Sequence, residues 1–161
     1  MGFLETIESE FSDLNSVESA TRLITRLIMA GVLGGILGFE RECAGKSAGL
    51  RTHVMLTMGT AFFVMVPNLL GMDGAALSRV FQGILPGIGF LGAGTILKHT
   101  EERRIEGLTT AAGVWFAAAI GMATGLGRNV SAIAGTLVGL LILALLPHVS
   151  QLRKSNILKP D

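Results

Sequence analysis

Charged and polar side chains collect at the ends of the long apolar runs of this sequence. Glu40 follows the first run, Arg51 and His53 begin the second, and Asp73 lies in the connection after it. Mg²⁺ binds oxygen ligands and keeps several of its waters, so one or two carboxylates can hold it. Glu40, His53 and Asp73 are therefore the candidate metal ligands, with Mg²⁺ as the candidate ion.

The same residues also permit a purely structural interpretation. Glu40, Arg51 and His53 lie at the same level, at the ends of two neighbouring apolar runs, if residues 41–50 fold back as a loop. An unpaired charge is costly in apolar surroundings, so we expect Glu40 to pair with Arg51 or His53 in one cluster beneath the third apolar run. Such a clasp closes one end of a helix bundle, and it is favoured over a cation site.

A glycine-rich stretch around Pro86 is the second candidate for ligand binding. Gly87, Gly89, Gly92 and Gly94 spell the G-x-G-x-x-G pattern of dinucleotide-binding proteins, but the βαβ unit that this motif requires is missing. In a membrane, glycines let helices approach closely, whereas a broken helix can aim backbone dipoles at an ion. Close packing is favoured, and we expect this stretch to be buried among other helices and kinked or broken near Pro86.

The composition narrows the class of protein. Of the 161 residues, 50% are hydrophobic and 22 are glycine, which is rare in a soluble domain. The net charge of +1 does not point to nucleic acid, and the single Cys43 excludes an internal disulfide. No set of nucleophile, base and acid is recognisable, so we expect no enzymatic activity and no cofactor besides Mg²⁺.

Five apolar runs have about the 17–25 residues that a hydrocarbon core requires. They cover residues 23–39, 54–70, 80–97, 107–126 and 130–146. The sequence therefore predicts an all-α, polytopic membrane helix bundle with five transmembrane helices, the third broken by glycine and proline. We expect an amphipathic segment at 1–21, a transmembrane domain at 22–147 and a short cytoplasmic tail at 148–161, with the lipid bilayer as the first partner.

The distribution of Lys and Arg predicts the orientation. Nine of the thirteen lie in the first loop, the third loop and the C-terminal tail, which all fall on one side of a five-span arrangement. Cytoplasmic loops carry the excess of positive charge. We therefore expect the C-terminus in the cytoplasm and the N-terminus on the opposite, periplasmic side.

Small residues recur every four positions in the last two apolar runs. The ladders are Gly113, Ala117, Gly121 and Gly125, and Ser131, Gly135 and Gly139. Such ladders let helices pack tightly. Together they offer more close-packing surface than five helices need, so we expect a homodimer.

The fourth run opens on Gly107, Leu108, Thr109 and Thr110. Thr109 can cap the N-terminus of a helix, and this is the favoured interpretation. The alternative is a helix N-terminus that points its free N–H groups at an anion.

Four motifs follow one another in a recognisable order. They are Glu40-Arg41-Glu42, then Ala48-Gly49-Leu50-Arg51-Thr52-His53, then the glycines from Gly87 to Gly94, then Gly107-Leu108-Thr109-Thr110-Ala111-Ala112 with Trp115. Together they resemble the MgtC/SapB family of bacterial inner-membrane proteins over about residues 22–146. The motif residues that the resemblance marks are Arg41, Arg51, Thr52, Gly87, Gly89, Gly92, Gly94, Thr109 and Thr110.

The resemblance implies a multi-span protein linked to growth at low Mg²⁺. In the virulence branch it also implies survival inside macrophages and inhibition of the F-type ATP synthase, so a membrane ATPase is a candidate partner. Thr109 and Phe116 stand where that branch has Asn and Cys, and His53 and Thr109 are closer to the SapB side.

We therefore expect a non-enzymatic inner-membrane factor in Mg²⁺ homeostasis that acts on a membrane partner or on the lipid environment. The alternative is a channel or transporter for Mg²⁺ or another ion. Coupled transporters usually keep an ionisable group inside the membrane. Because no Lys, Arg, Asp or Glu lies at the centre of any run, the first interpretation is favoured.

Overall fold

A computed structural model describes residues 2–12, 16–99 and 104–157 of the chain. Helices make up almost all of this part, with one short antiparallel hairpin between the fourth and fifth helices. The elements are α1 (Phe3–Glu10), α2 (Val17–Cys43), α3 (Leu50–Leu69), α4 (Gly74–Gly94), β1 (Leu97–His99), β2 (Arg104–Glu106), α5 (Leu108–Gly125) and α6 (Asn129–Ile157).

The lengths and compositions of these helices confirm the predicted class of fold. Four helices, α2 to α5, are long and apolar enough to cross a membrane, and α6 adds a shorter apolar stretch, Asn129–Leu145. In lipid every backbone polar group needs an internal partner, which a helix supplies. The protein is an all-α, multi-pass membrane bundle.

The centre of the bundle is formed by α2, α3 and α5, which all contact one another. Leu37, Val64 and Val114, one from each of these helices, are almost fully buried there. The helix α6 lies against α5 and α2, while α4 lies against α5 and α3. The arrangement therefore has three inner helices and two outer ones.

Glycines on α5 allow the close approach of α3. A Cβ atom built on Gly125 would lie 2.5 Å from the Ala61 carbonyl oxygen, and one built on Gly121 would overlap both Thr57 and Thr60. The second ladder packs in the same way, since Gly135 faces Ile120 and a Cβ on Gly139 would overlap the Phe116 ring. The close-packing surface of both ladders is therefore used within a single chain.

The expectation that the third span is broken and buried is wrong. α4 runs as one α-helix through Pro86, and among its residues only Ile88 and Gly92 are buried. Proline in a helix interior removes one backbone hydrogen bond, and here the remaining ones keep the helix continuous. Nothing lies within 4 Å of a Cβ built on Gly87 or Gly89, although Gly87 lines a groove that it shares with Thr60 and Phe63 of α3.

The expected boundary between the amphipathic segment, 1–21, and the transmembrane domain, 22–147, falls inside a helix. α1 ends at Glu10, and α2 begins at Val17 with Ser16 as its N-cap, whose hydroxyl oxygen accepts a hydrogen bond from the Ser19 N–H at 3.0 Å. A serine cap satisfies one of the free N–H groups of a first turn. The first membrane helix therefore starts before its apolar run.

The expectation that Thr109 caps the fourth span is also wrong. The N-cap of α5 is Gly107, whose φ of 89° turns the chain from β2 into the helix, and Thr109 is the second helical residue. A side chain at Gly107 would overlap the Thr95 carbonyl, so a glycine is required at this corner. Before this corner β1 and β2 pair in antiparallel fashion, and Leu97 lies opposite Glu106.

Candidate functional site

A buried polar site lies where α2 ends and α3 begins. Arg41, in the last turn of α2, is 3% exposed. Its guanidinium donates hydrogen bonds from Nε and Nη2 to the two carboxylate oxygens of the neighbouring Glu40. Removing one member of a buried ion pair leaves an uncompensated charge. The two residues therefore form a single neutral unit at this end of the bundle.

His53, in the first turns of α3, is the second member of the site and is 1% exposed. Its Nδ1 lies 2.9 Å from the Gly49 carbonyl oxygen. Because a carbonyl can only accept, Nδ1 carries the proton, which leaves Nε2 of the neutral ring as an acceptor. Nε2 is buried and has no hydrogen-bond partner in the part of the chain that the structure describes.

Glycines make room for the imidazole between three helices. A Cβ atom on Gly38 would lie 2.9 Å from the His53 Cβ, and one on Gly113 of α5 would lie 3.9 Å from Nε2. Arg41 and Glu40 are also within electrostatic reach of His53. The site therefore combines a neutralised ion pair with an unsatisfied nitrogen at the contact of α2, α3 and α5.

Glu42 fixes the loop that connects the two helices. Its Oε2 accepts a hydrogen bond from the Leu50 N–H at 2.9 Å, which caps the N-terminus of α3 across eight residues. A Cβ on Gly49 would lie 2.7 Å from the same carboxylate oxygen, so a larger residue there would displace the Glu42 side chain. A carboxylate at a helix N-terminus is also favoured by the helix dipole.

The predicted cluster of Glu40, Arg51 and His53 is partly wrong. The structure brings Glu40 and His53 to the same region, but Arg51 is exposed and Glu40 pairs with Arg41 instead. Two residues along a helix correspond to about 200° of rotation, so Arg51 faces away when His53 points inward. His53 also faces Gly113 of α5 rather than the third span.

Asp73 does not join the other candidate ligands. It is exposed, and its Oδ1 accepts a hydrogen bond from the Ala76 N–H at 2.7 Å as the N-cap of α4. His53 is near the opposite end of α3, about 24 Å away along its axis at about 1.5 Å per residue. Among the described residues, no three His, Cys, Asp or Glu side chains are grouped as a metal site would require.

The remaining motif residues lie in three different environments. Thr52 is exposed on α3 beside Arg51, and Gly94 ends α4 with nothing within 4 Å of a built Cβ. Gly92 packs on α5, where its Cβ would lie 3.6 Å from the Ala111 carbonyl oxygen. Thr109 is exposed and Thr110 is buried at the start of α5.

A polar contact between α2 and α3 was not predicted from the sequence. The Thr57 hydroxyl lies 2.7 Å from the Ala30 carbonyl oxygen of α2 and 2.9 Å from the His53 carbonyl oxygen of its own helix. Gly34 permits this approach, since a Cβ there would overlap the Thr57 side chain. A threonine in one apolar run and glycines in another are the signal that could have predicted the contact.

These features define the class of the protein: a multi-pass α-helical membrane protein with a buried polar site at one end of its three inner helices. The sequence pattern of the MgtC family matches residues 27–152. The chain belongs to the MgtC family.

Several curated proteins are similar to this chain. The Escherichia coli K12 protein named "Putative magnesium transporter YhiD" is 44% identical over 114 residues, which cover 66% of this chain and 52% of that protein. Protein SrpB of Synechococcus elongatus is 41% identical over 74% of this chain and 73% of its own length. Protein MgtC of Brucella abortus is 40% identical over 71% of this chain and 47% of its own length.

The chain spans about half the length of YhiD and of the Brucella MgtC protein. No solved structure matches the chain.

Proposed function

We propose that this protein is a non-enzymatic inner-membrane factor in bacterial Mg²⁺ homeostasis that acts through a membrane partner. Membership of the MgtC family and the magnesium-related name of one relative support the connection with Mg²⁺. The excess of Lys and Arg supports a cytoplasmic C-terminus and a periplasmic N-terminus. In this orientation the buried polar site lies at the cytoplasmic end of the bundle.

The pairing of Glu40 with Arg41 is the observation that carries the proposal. Both carboxylate oxygens accept hydrogen bonds from the guanidinium. A Mg²⁺ ion at Glu40 would have to displace Arg41 and leave a buried cation unpaired, which is strongly unfavourable. The arrangement therefore favours a structural role over a role in an ion pathway. In that role the Glu40–Arg41 pair acts as a clasp that fixes the shape of the cytoplasmic end of the bundle.

A protein that carries no ion itself must act on something else in the membrane. A membrane ATPase is the candidate partner, and the lipid bilayer is the alternative target. The cytoplasmic end is suited to a contact, because exposed residues such as Arg51 and Thr52 surround the buried clasp. Exposed charges of this kind tune association and specificity.

Transport of Mg²⁺ or another ion is the second candidate function. It is favoured by the printed name of the Escherichia coli relative and by the unpartnered Nε2 of His53. Buried polar atoms normally have partners, so an unpaired one is a candidate for a transient ligand.

Growth at limiting Mg²⁺ tests the proposed function. In a bacterium lacking its own MgtC-family protein, the wild type should restore growth at low Mg²⁺. Arg41→Gln should fail because it leaves Glu40 unpaired, whereas Arg22→Gln, an exposed change at the other end of α2, should restore growth. Equal growth with empty vector and wild type would disprove the role.

Flux measurements separate the two candidates. Liposomes that contain only the purified protein and an internal fluorescent Mg²⁺ indicator should show no uptake above protein-free liposomes. In parallel, Glu40→Gln should lower the melting temperature, and Mg²⁺ should shift neither melting curve. Uptake, or a Mg²⁺-dependent shift that Glu40→Gln abolishes, would instead establish an ion site by mass action.

A further inference from the structure

A cavity of about 640 Å³ opens beside the start of α5, between the loop at residues 44–49 and the hairpin. The residues that matter for its chemistry are Lys46, Ser47, Thr95, Glu106, Thr109 and Thr110. Unlike the grooves along the helices, which are lined almost wholly by apolar atoms, this cavity presents hydroxyls, an ammonium group and a helix end.

The first turn of α5 supplies free donors. Helices leave their first N–H groups without intrahelical partners, and Gly107 gives α5 no side-chain cap. The N–H groups of Leu108, Thr109 and Thr110 have no hydrogen-bond acceptor among the described residues, and the first bond of the helix runs from the Ala111 N–H to the Gly107 carbonyl. The helix dipole adds positive potential at the same place.

The Thr110 hydroxyl is a second, independent sign of a ligand. Four other buried threonines, Thr57, Thr60, Thr124 and Thr136, each direct the hydroxyl to the carbonyl four residues earlier. Thr110 is only 3% exposed and lines the cavity, yet its hydroxyl has no partner among the described residues. Position 106 lies in β2 and not in the helix, so the usual acceptor is not in place.

One cationic and one anionic side chain line the cavity. Lys46 is exposed on the loop and lines the cavity, where its ammonium can reach a ligand. Glu106 also lines it, but this residue is exposed and is engaged in an interaction of its own. A tetrahedral anion with several acceptor oxygens can satisfy backbone N–H groups, a hydroxyl and an ammonium together.

We propose that this cavity binds a phosphate group, held by the first turn of α5, the Thr110 hydroxyl and the Lys46 ammonium. The cavity adjoins the ends of two membrane helices, α4 and α5, since Thr95 follows the first and Leu108 begins the second. Both the headgroup of an anionic phospholipid and a soluble phosphate can therefore reach it. The proposal is independent of the role in Mg²⁺ homeostasis.

Melting temperatures of the purified protein in neutral detergent test the site. The probes are dioctanoyl phosphatidylglycerol and inorganic phosphate, with dioctanoyl glycerol and chloride at equal ionic strength as controls. A ligand that binds only the folded state raises the melting temperature by mass action. A rise with the phospholipid alone identifies a lipid headgroup, whereas a rise with inorganic phosphate as well identifies a phosphate site open to soluble ligands.

Two variants connect such a rise to the cavity. Thr110→Val keeps the side-chain shape and Lys46→Gln changes an exposed loop residue, and each should weaken the apparent Kd about tenfold, as expected for the loss of one hydrogen bond to a charged group. Thr136→Val and Arg51→Gln, a buried threonine and an exposed arginine outside the cavity, should bind as the wild type does. No rise with either probe, or a rise unchanged in both Thr110→Val and Lys46→Gln, would overturn the proposal.

Discussion

At the scale of single residues, the inner helices are held by polar atoms that bond to backbone carbonyls and by glycines that leave room for them. Thr57 is the clearest case, since its hydroxyl can donate either to its own helix or to Ala30 of α2. Hydrogen bonds between membrane helices contribute about 0.6 kcal/mol on average and up to about 1.7 kcal/mol. One hydroxyl is therefore a measurable part of the α2–α3 contact.

We expect Thr57→Val to lower the free energy of unfolding by about 1 kcal/mol, because it removes this contact between helices. Thr136→Val is the matched control, since the Thr136 hydroxyl donates to the Ala132 carbonyl of its own helix. Unfolding by titration with sodium dodecyl sulfate in mixed micelles measures both. Equal losses for the two variants would show that the contact with Ala30 contributes nothing.

A second prediction concerns the α3–α5 contact. Gly121→Ala should destabilise the protein by about 1–3 kcal/mol, because a methyl group there overlaps the backbone and side chain of α3 and overpacked cores cost this much. Gly113→Ala on the same helix should be nearly neutral, since its methyl would be 3.9 Å from the His53 Nε2. The same unfolding titration measures both variants. An unchanged free energy of unfolding in Gly121→Ala would contradict the observed packing.

At the scale of secondary-structure elements, helix ends are fixed by residues distant in sequence. The Arg26 Nη1 of α2 donates to the Gly125 carbonyl at 2.8 Å, at the C-terminus of α5. Gly127 then turns the chain with a φ of 76°, where a Cβ would lie 2.5 Å from the same guanidinium. A cation near the last carbonyls also interacts favourably with the helix dipole.

Removing this cation should loosen the end of α5. Arg26→Met keeps the aliphatic stem and should lower the free energy of unfolding by about 1–2 kcal/mol. Arg22→Met, one helical turn before Arg26, removes an exposed ion pair with Glu18. It should lower the free energy of unfolding by no more than about 0.5 kcal/mol. Hydrogen exchange at residues 125–128 should rise only in Arg26→Met, and unchanged exchange there would contradict the capping role.

At the scale of the whole molecule, the orientation in the membrane is the first prediction. Five spans place the two termini on opposite sides, and the positive charges favour a cytoplasmic C-terminus. A reporter fused after Pro160 should read cytoplasmic, and one fused before Glu5 should read periplasmic. Two reporters on the same side would exclude a five-span arrangement.

We also predict that two copies of the chain associate, but through a surface other than the two ladders of small residues. The two ladders that suggested a homodimer are used inside the chain, but Gly83 and Gly87 on α4 have nothing within 4 Å of a built Cβ. Glycines four residues apart are a frequent helix-packing surface in membranes. We therefore expect native mass spectrometry in mild detergent to show two chains for the wild type.

The double change Gly83→Leu and Gly87→Leu should produce a monomer without loss of stability, because a Cβ atom at either position would have nothing within 4 Å. Gly74→Leu, at the first residue of the same helix and equally open, should leave the dimer intact. A monomeric wild type, or a dimer unaffected by the double change, would disprove association through α4.

The sequence by itself determined the class of fold and the approximate position of the four long apolar helices and of the shorter apolar stretch in α6. Hydropathy and length are properties of each segment alone, because a hydrocarbon core imposes them on every helix that crosses it. The family can also be recognised from the sequence alone, because its motifs are short and contiguous. The sequence further placed Glu40 and His53 in one region, since both lie beside the same short loop.

Only the tertiary structure decided which groups meet. Arg41 rather than Arg51 pairs with Glu40, because rotation about each helix axis sets which side chain points inward. The glycines of α5 are packed and those near Pro86 are open, because α5 is an inner helix and α4 an outer one. Composition cannot distinguish these cases, since in lipid both faces of a helix are apolar and hydropathy does not mark the buried one.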